Sequence, residues 1–152
     1  LKIKVVLKEI QSEVYSIEEK ELDKIIIGFE EKESILEIKE NLLNDESTIK
    51  IYDKDGVEIT DENEVVRTGL EMRLEIEGQV YDRVMIILRG DLNEDGVINV
   101  TDKVQLQNHI LSKEIIEDYR VYAADLEVDD VINVTDNVKL GDYILKKITS
   151  TD

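Results

Sequence analysis

The chain contains no cysteine, no proline and no tryptophan, and it has one histidine and one phenylalanine. Without cysteine there is no disulfide staple and no thiol chemistry. With His109 as the one histidine, a metal site built from several histidine ligands cannot be assembled. Its place beside Ile110, in a helical pattern, predicts a surface helix residue. Aromatic residues are scarce, so the many carboxylates are not accompanied by the aromatic-lined cleft of a glycosidase. No glycine-rich phosphate loop is present. No apolar run approaches the roughly 20 residues a spanning helix requires. Basic residues are few, 19 against 37 acidic ones for a net charge of −18. That balance argues against nucleic acid and anionic membrane surfaces, both of which need clustered Lys and Arg. No initiator methionine or signal peptide opens the chain, and we expect it to be a piece of a longer protein.

What remains is abundant acid with enough apolar residues, 41% of the total, to build a core. The pattern changes near Gly90, which predicts two units, residues 1–89 and 90–152. In the first, Leu1–Leu7 alternates as a strand does, and Val14–Ile17 and Leu22–Ile27 read as further strands. Ser34 and Glu37 form a capping-box pattern ahead of Ile35, Ile38 and Leu42 at helical spacing. Thr48–Tyr52 reads as a strand that turns through Asp55-Gly56 into Val57–Thr60. Leu70–Glu77 and Val80–Leu88 read as a hairpin around Gly78-Gln79. The expected class is α+β, with a small β-rich first module carrying one helix in a β-grasp-like arrangement, followed by an all-α unit of two loop–helix motifs.

The second unit repeats itself at an offset of 34 residues: Asp91–Asp102 runs into one apolar helix pattern and Asp125–Asp136 into another. Calcium takes six to eight oxygen ligands from a loop of about twelve residues, at positions 1, 3, 5, 7, 9 and 12. In the first copy these are Asp91, Asn93, Asp95, the Val97 carbonyl, Asn99 and Asp102, with Gly96 at the sharp turn of position 6. In the second they are Asp125, Glu127, Asp129, the Val131 carbonyl, Asn133 and Asp136. There Glu127 is longer than the usual ligand, and Asp130 replaces the glycine. Ile98, at position 8, is expected to pair the two loops through a short β contact. No helix pattern enters the first loop, while Glu114–Ala124 is expected to form a helix leading into the second. Tyr119, Tyr122 and Tyr143 are expected to pack between the repeats. Thr101 and Thr135 suit helix N-caps.

These residues resemble a dockerin of type I: paired loop–helix calcium motifs of the F-hand kind, Gly-Asp-Leu-Asn-Glu-Asp-Gly-Val-Ile-Asn-Val-Thr-Asp and its echo, from about Gly90 to Lys147. Residues 1–89 are similar to the X modules that often precede dockerins. The resemblance implies two Ca2+ ions and a cohesin domain of a scaffold protein as partner, in a cellulosome-like or cell-surface assembly of secreted bacterial enzymes for polysaccharide degradation. It implies no enzyme activity. The recognition residues it implies are Val100, Thr101, Gln107 and Asn108 in the first copy and Val134, Thr135, Gly141 and Asp142 in the second. The first module is expected to pack on the dockerin, because only Arg89-Gly90 separates them. The alternative is a calcium-stabilised spacer of a surface protein with no cohesin partner. A calcium sensor is disfavoured, since such proteins expose a Met-rich groove and both methionines, Met72 and Met85, precede the repeats.

Overall fold

A computed structural model describes residues 6–21 and 23–149. Five strands form one sheet in the order β1-β2-β5-β4-β3, where β1 is Ser16–Glu19, β2 Lys24–Ile27, β3 Ile49–Tyr52, β4 Glu71–Ile76 and β5 Gln79–Ile86. All neighbours are antiparallel except β2 and β5, which run parallel and pair Ile25 with Met85 and Ile26 with Ile86. Helix α1, Ile35–Glu40, lies between β2 and β3 in the chain. Ser34 caps it by accepting from the Glu37 amide, and Ile35, Ile38 and, just past its end, Leu42 are buried.

Side chains alternate across the sheet, as the strand period requires. Ile26, Ile86, Met72, Leu74, Ile49 and Ile51 join Ile35 and Ile38 in the main core. Ile25, Ile27 and Ile87 form a second cluster with Ala123, against which Tyr119 and Tyr122 pack. The main core continues without a break into Leu92, Ile98, Leu106 and Leu140. After β5 come α2, Val100–Ile110, then the short α3, Arg120–Ala124, and α4, Val134–Thr149. Helices α2 and α4 pack on each other. The chain is thus mixed α and β, with its sheet in the N-terminal part and three of its helices in the C-terminal part.

Several expectations are corrected. The strand at Leu1–Leu7 falls mostly outside the described residues, and Val6 and Leu7 are not strand. The second β-hairpin turns at Glu77-Gly78, one residue earlier than expected, because both take positive φ, 52° and 80°, as a two-residue primed turn requires. Val57–Thr60 does not form a strand. Only the Tyr52–Glu58 bridge survives, because Asp53 Oδ1 accepts from the amides of Asp55 and Val57 and closes the turn locally. The helix expected over Glu114–Ala124 shrinks to α3. His109 Nδ1 accepts from the Ile116 amide at 2.9 Å and holds the preceding segment as a loop. That bond also makes His109 a half-buried brace rather than a bystander on the surface.

Candidate metal centres and docking faces

The two acidic loops adopt one geometry. The first-position carboxylate takes the amides of positions 5 and 6: Asp91 accepts from Asp95 at 3.1 Å and Gly96 at 3.0 Å, and Asp125 from Asp129 at 3.2 Å and Asp130 at 2.9 Å. Position 5 caps position 7, with Asp95 accepting from Val97 and Asp129 from Val131. The twelfth-position carboxylate reaches back. Asp102 accepts from Leu92, Asn93 and Asn99, and Asp136 from Glu127 and Asn133. The loops match in backbone strain as well. Glu94 and Val128 at position 4, and Gly96 and Asp130 at position 6, all have φ between 57° and 77°.

Each loop brings three carboxylates together. One oxygen from each of Asp91, Asp95 and Asp102 lies within 4.8 Å of the others, and the same holds for Asp125, Asp129 and Asp136. Asp91, Asp102 and Asp136 are fully buried. Burial pushes the Asp91 carboxyl up to about 6, against the downward pull of its Thr68 and Gly96 amide partners, and it raises Asp102 as well. Buried carboxylates held side by side favour either protonation or a cation.

The remaining ligand positions fit a hard cation. Asn93 donates through Nδ2 to Asp95, while its Oδ1 is buried and has no hydrogen-bond partner among the described residues. That oxygen sits at position 3, where a metal would satisfy it. Gln105 Oε1 shares the condition but lies outside the loop, on α2. Asn99 and Asn133 at position 9 spend their side-chain oxygens on the amides of Thr101 and Thr135, which leaves a water-mediated role open to them. Asn99, not Thr101, is therefore the N-cap of α2, and Asp102 completes its capping box. The donors are all oxygen, the set that suits calcium or magnesium rather than a soft transition metal.

Position 8 does not pair the loops. The Ile98 amide donates to Glu31 Oε2 at 2.9 Å, and the Ile98 carbonyl accepts from Lys147 Nζ at 2.7 Å. Both groups are thereby engaged away from Ile132. Tyr119 links the segment before the second loop to the first loop as well as to the sheet module, while Tyr122 and Tyr143 face the sheet module. Tyr119 donates to Glu94 beside Gly69, Tyr119 and Tyr122 cover β2 and β5, and Tyr143 donates to Glu31 at 2.5 Å.

Two glycines have steric reasons. Gly90 (φ 94°) passes so close to Ile98 and Leu140 that a Cβ would lie 3.1–3.2 Å from them. Gly96 (φ 77°) would place a Cβ 2.8 Å from the Val66 carbonyl oxygen.

Apolar side chains of α2 and α4 form two exposed stripes. Val100, Val104 and Leu111 on the first helix are 63, 48 and 54% exposed, and their equivalents Val134, Val138 and Leu145 are 64, 55 and 61% exposed. Thr101 and Thr135 are exposed beside them. Gln107 is exposed and Asn108 half-buried, whereas Gly141 lies under the Lys103 side chain and Asp142 is exposed. Across the pseudo-two-fold, Lys103 donates to Asn137 Oδ1, and Asn137 Nδ2 returns a bond to the Lys103 carbonyl at 3.2 Å.

Residues 89–145 match the family model of the dockerin type I domain. No curated protein matches the chain. Dockerins are calcium-binding docking domains rather than catalytic ones, their partners are generally cohesins, and they occur in secreted or cell-surface proteins. Among the described residues no helix is long and apolar enough to cross a membrane.

Proposed function

We propose that residues 90–152 are a dockerin that binds two calcium ions and, in that state, docks on a cohesin of a bacterial scaffold, attaching a secreted parent protein to a cellulosome-like or cell-surface assembly. The ligands in this reading are Asp91, Asn93, Asp95, the Val97 carbonyl, Asn99 and Asp102 for one ion, and Asp125, Glu127, Asp129, the Val131 carbonyl, Asn133 and Asp136 for the other. Residues 1–89 form an X-like module. Its parallel β2–β5 pair and single helix are read as β-grasp-like, and the module stays packed on the dockerin. The observation that carries the reading is the matched hydrogen bonding of the two loops, in which the first-position carboxylate takes the amides of positions 5 and 6 and the twelfth-position carboxylate those of positions 3 and 9, around two triads of carboxylates.

The partner surface in this reading is Val100, Thr101, Gln107 and Asn108, or its counterpart Val134, Thr135, Gly141 and Asp142. Near-equal exposure supports use of either stripe. The differing second pairs, two amides against a glycine and a carboxylate, favour one orientation by about 1–3 kcal/mol if a partner group is otherwise left buried and unpaired. Calorimetry against a panel of cohesins, with calcium and with chelator, tests the function. Binding to at least one cohesin that chelator abolishes is expected. Calcium binding without any cohesin binding would instead leave a calcium-stabilised spacer. Replacing Thr101 and Thr135 by Arg, singly and together, tests the surface: the double change is expected to abolish binding, and the single changes to weaken it unequally.

A further inference from the structure

The first loop is set apart from the second by what lies behind it. Thr68, in the connection from β3 to β4, is buried and bolted to the strand exit, its hydroxyl donating to the Leu88 carbonyl and accepting from the Leu88 amide, both at 3.0 Å. Its own amide donates to Asp91 Oδ2 at 2.9 Å. The next turn of the loop rests on the same connection, since the Val66 carbonyl closes off the space at Gly96. On the far side, the nearly buried Glu31 carboxylate, from the connection between β2 and α1, gathers three donors: the Ile98 amide, Tyr143 Oη and Lys147 Nζ at 2.9, 2.5 and 2.8 Å. Lys147 closes the ring on the Ile98 carbonyl. The second loop has a much thinner contact with the sheet module. Among the described residues Asp125 takes amides of its own loop, and Asp130 lies 3.7 Å from Lys20 with its side chain largely exposed.

We infer that the sheet module is part of the first calcium site: Thr68 fixes the rotamer of the ligand Asp91, Glu31 stands in for the missing loop–loop pairing at Ile98, and the first ion, but not the second, is bound cooperatively with the folded sheet. This rests on the calcium reading above. A ligand carboxylate already held by a rigid donor loses less freedom when the ion arrives, and outer partners of this kind change metal affinity by about 10–100-fold. By linkage, an ion that gains affinity from the sheet must return the same factor to the sheet's stability.

The full-length chain and calcium alone suffice as a test. In an Asp136→Ala background, which isolates the first site, adding Glu31→Ala is expected to weaken calcium binding about tenfold by calorimetry. In an Asp102→Ala background, which isolates the second, the same change is expected to leave affinity within twofold. Equal weakening at both sites, or none at the first, overturns the inference. Absence of calcium binding to the unaltered chain defeats the calcium reading itself and is a separate result. Hydrogen exchange on the unaltered chain gives a second, mutation-free readout. Calcium is expected to slow exchange of the Thr68 amide and of β4 and β5 at least tenfold, and unchanged exchange there overturns the coupling even if Glu31→Ala fails to fold.

Discussion

Without calcium, the chain should melt at a higher temperature at pH 5.0 than at pH 7.5. The cause is Asp91, a fully buried carboxyl whose value burial lifts from 3.8 to about 6. A folded-state value above the unfolded one means that the folded chain holds its proton longer. No penalty exists well below pH 3.8, where both states are protonated. It grows as the unfolded chain ionises, and it reaches its full size once the folded carboxyl has ionised above pH 6. At about 1.36 kcal/mol per unit, the full penalty is about 3 kcal/mol, of which about half is already present at pH 5. The remaining difference, about 1.4 kcal/mol, corresponds to about 3–6 °C in melting temperature for a chain of this size. Asp102 is raised for the same reason and acts in the same direction. Glu31 and Asp118 are shifted down: burial pushes each up, and their hydrogen-bond partners together pull them further the other way. Their stabilisation is lost only as pH falls below the ordinary carboxylate values, so it is largely intact at pH 5. The assay is circular dichroism with chelator at the two pH values, on the unaltered chain and on Asp91→Asn. Asparagine carries no titrating proton, so its melting temperature should vary less with pH by about the stated amount. Equal pH dependence in the two proteins, or a lower melting temperature at pH 5.0 for the unaltered chain, would refute the reasoning.

Three further outcomes follow from the same geometry. The first site should bind calcium more tightly than the second, since the second loop holds Val128, a β-branched residue, at φ 57° and Asp130 at φ 63°; calorimetry on Asp102→Ala and Asp136→Ala should leave the stronger site in the latter. Gly96→Ala should destabilise the calcium-loaded chain by more than about 1 kcal/mol, because it combines a positive φ with a backbone oxygen that has nowhere to move, and thermal melting checks it. His109→Ala should cost about 1 kcal/mol by leaving the Ile116 amide without its acceptor, measurable by denaturant unfolding, while leaving both calcium affinities unchanged.

Local signals were legible where one residue does one job in sequence order. Ser34 at a helix start, Asp-x-Asn-x-Asp-Gly at an acidic loop, and the alternation of Glu71–Ile76 each carry their structure within a dozen residues. The errors share a cause. Glu114–Ala124 has helical propensity, but the His109 imidazole, seven residues upstream, claims the Ile116 amide. Val57–Thr60 alternates as a strand, but Asp53 satisfies the turn before a ladder can extend. Ile98 was expected to face its own repeat, and its peptide groups are taken by Glu31 and Lys147, 67 and 49 positions away in sequence. No local pattern marks Glu31. It lies in an acidic run, Glu30-Glu31-Lys32-Glu33, that reads as a solvated turn. Lys32 at φ 73° is the nearest backbone irregularity to it, and that too is invisible in sequence.

The repeat is symmetric in its covalent pattern and asymmetric in its surroundings, and the two properties fall on different sides of the helix pair. Identical Val-Ile-Asn-Val-Thr-Asp segments give the loops closely matched hydrogen bonds and the two stripes nearly the same exposure. The valines of both stripes stay about half exposed or more. The sheet module reaches the back of the first loop through Thr68 and Val66, and the end of α4 through Glu31. Contacts that bias one calcium site are therefore made without covering either face. If the faces bind a partner, changes on Val100, Val104, Val134 or Val138 should alter partner affinity while leaving the calcium titration as it was. Changes at Glu31 should do the reverse at saturating calcium. A chain whose two sets of variants could not be separated in this way would have its partner surface at the loop backs, where the sheet already sits.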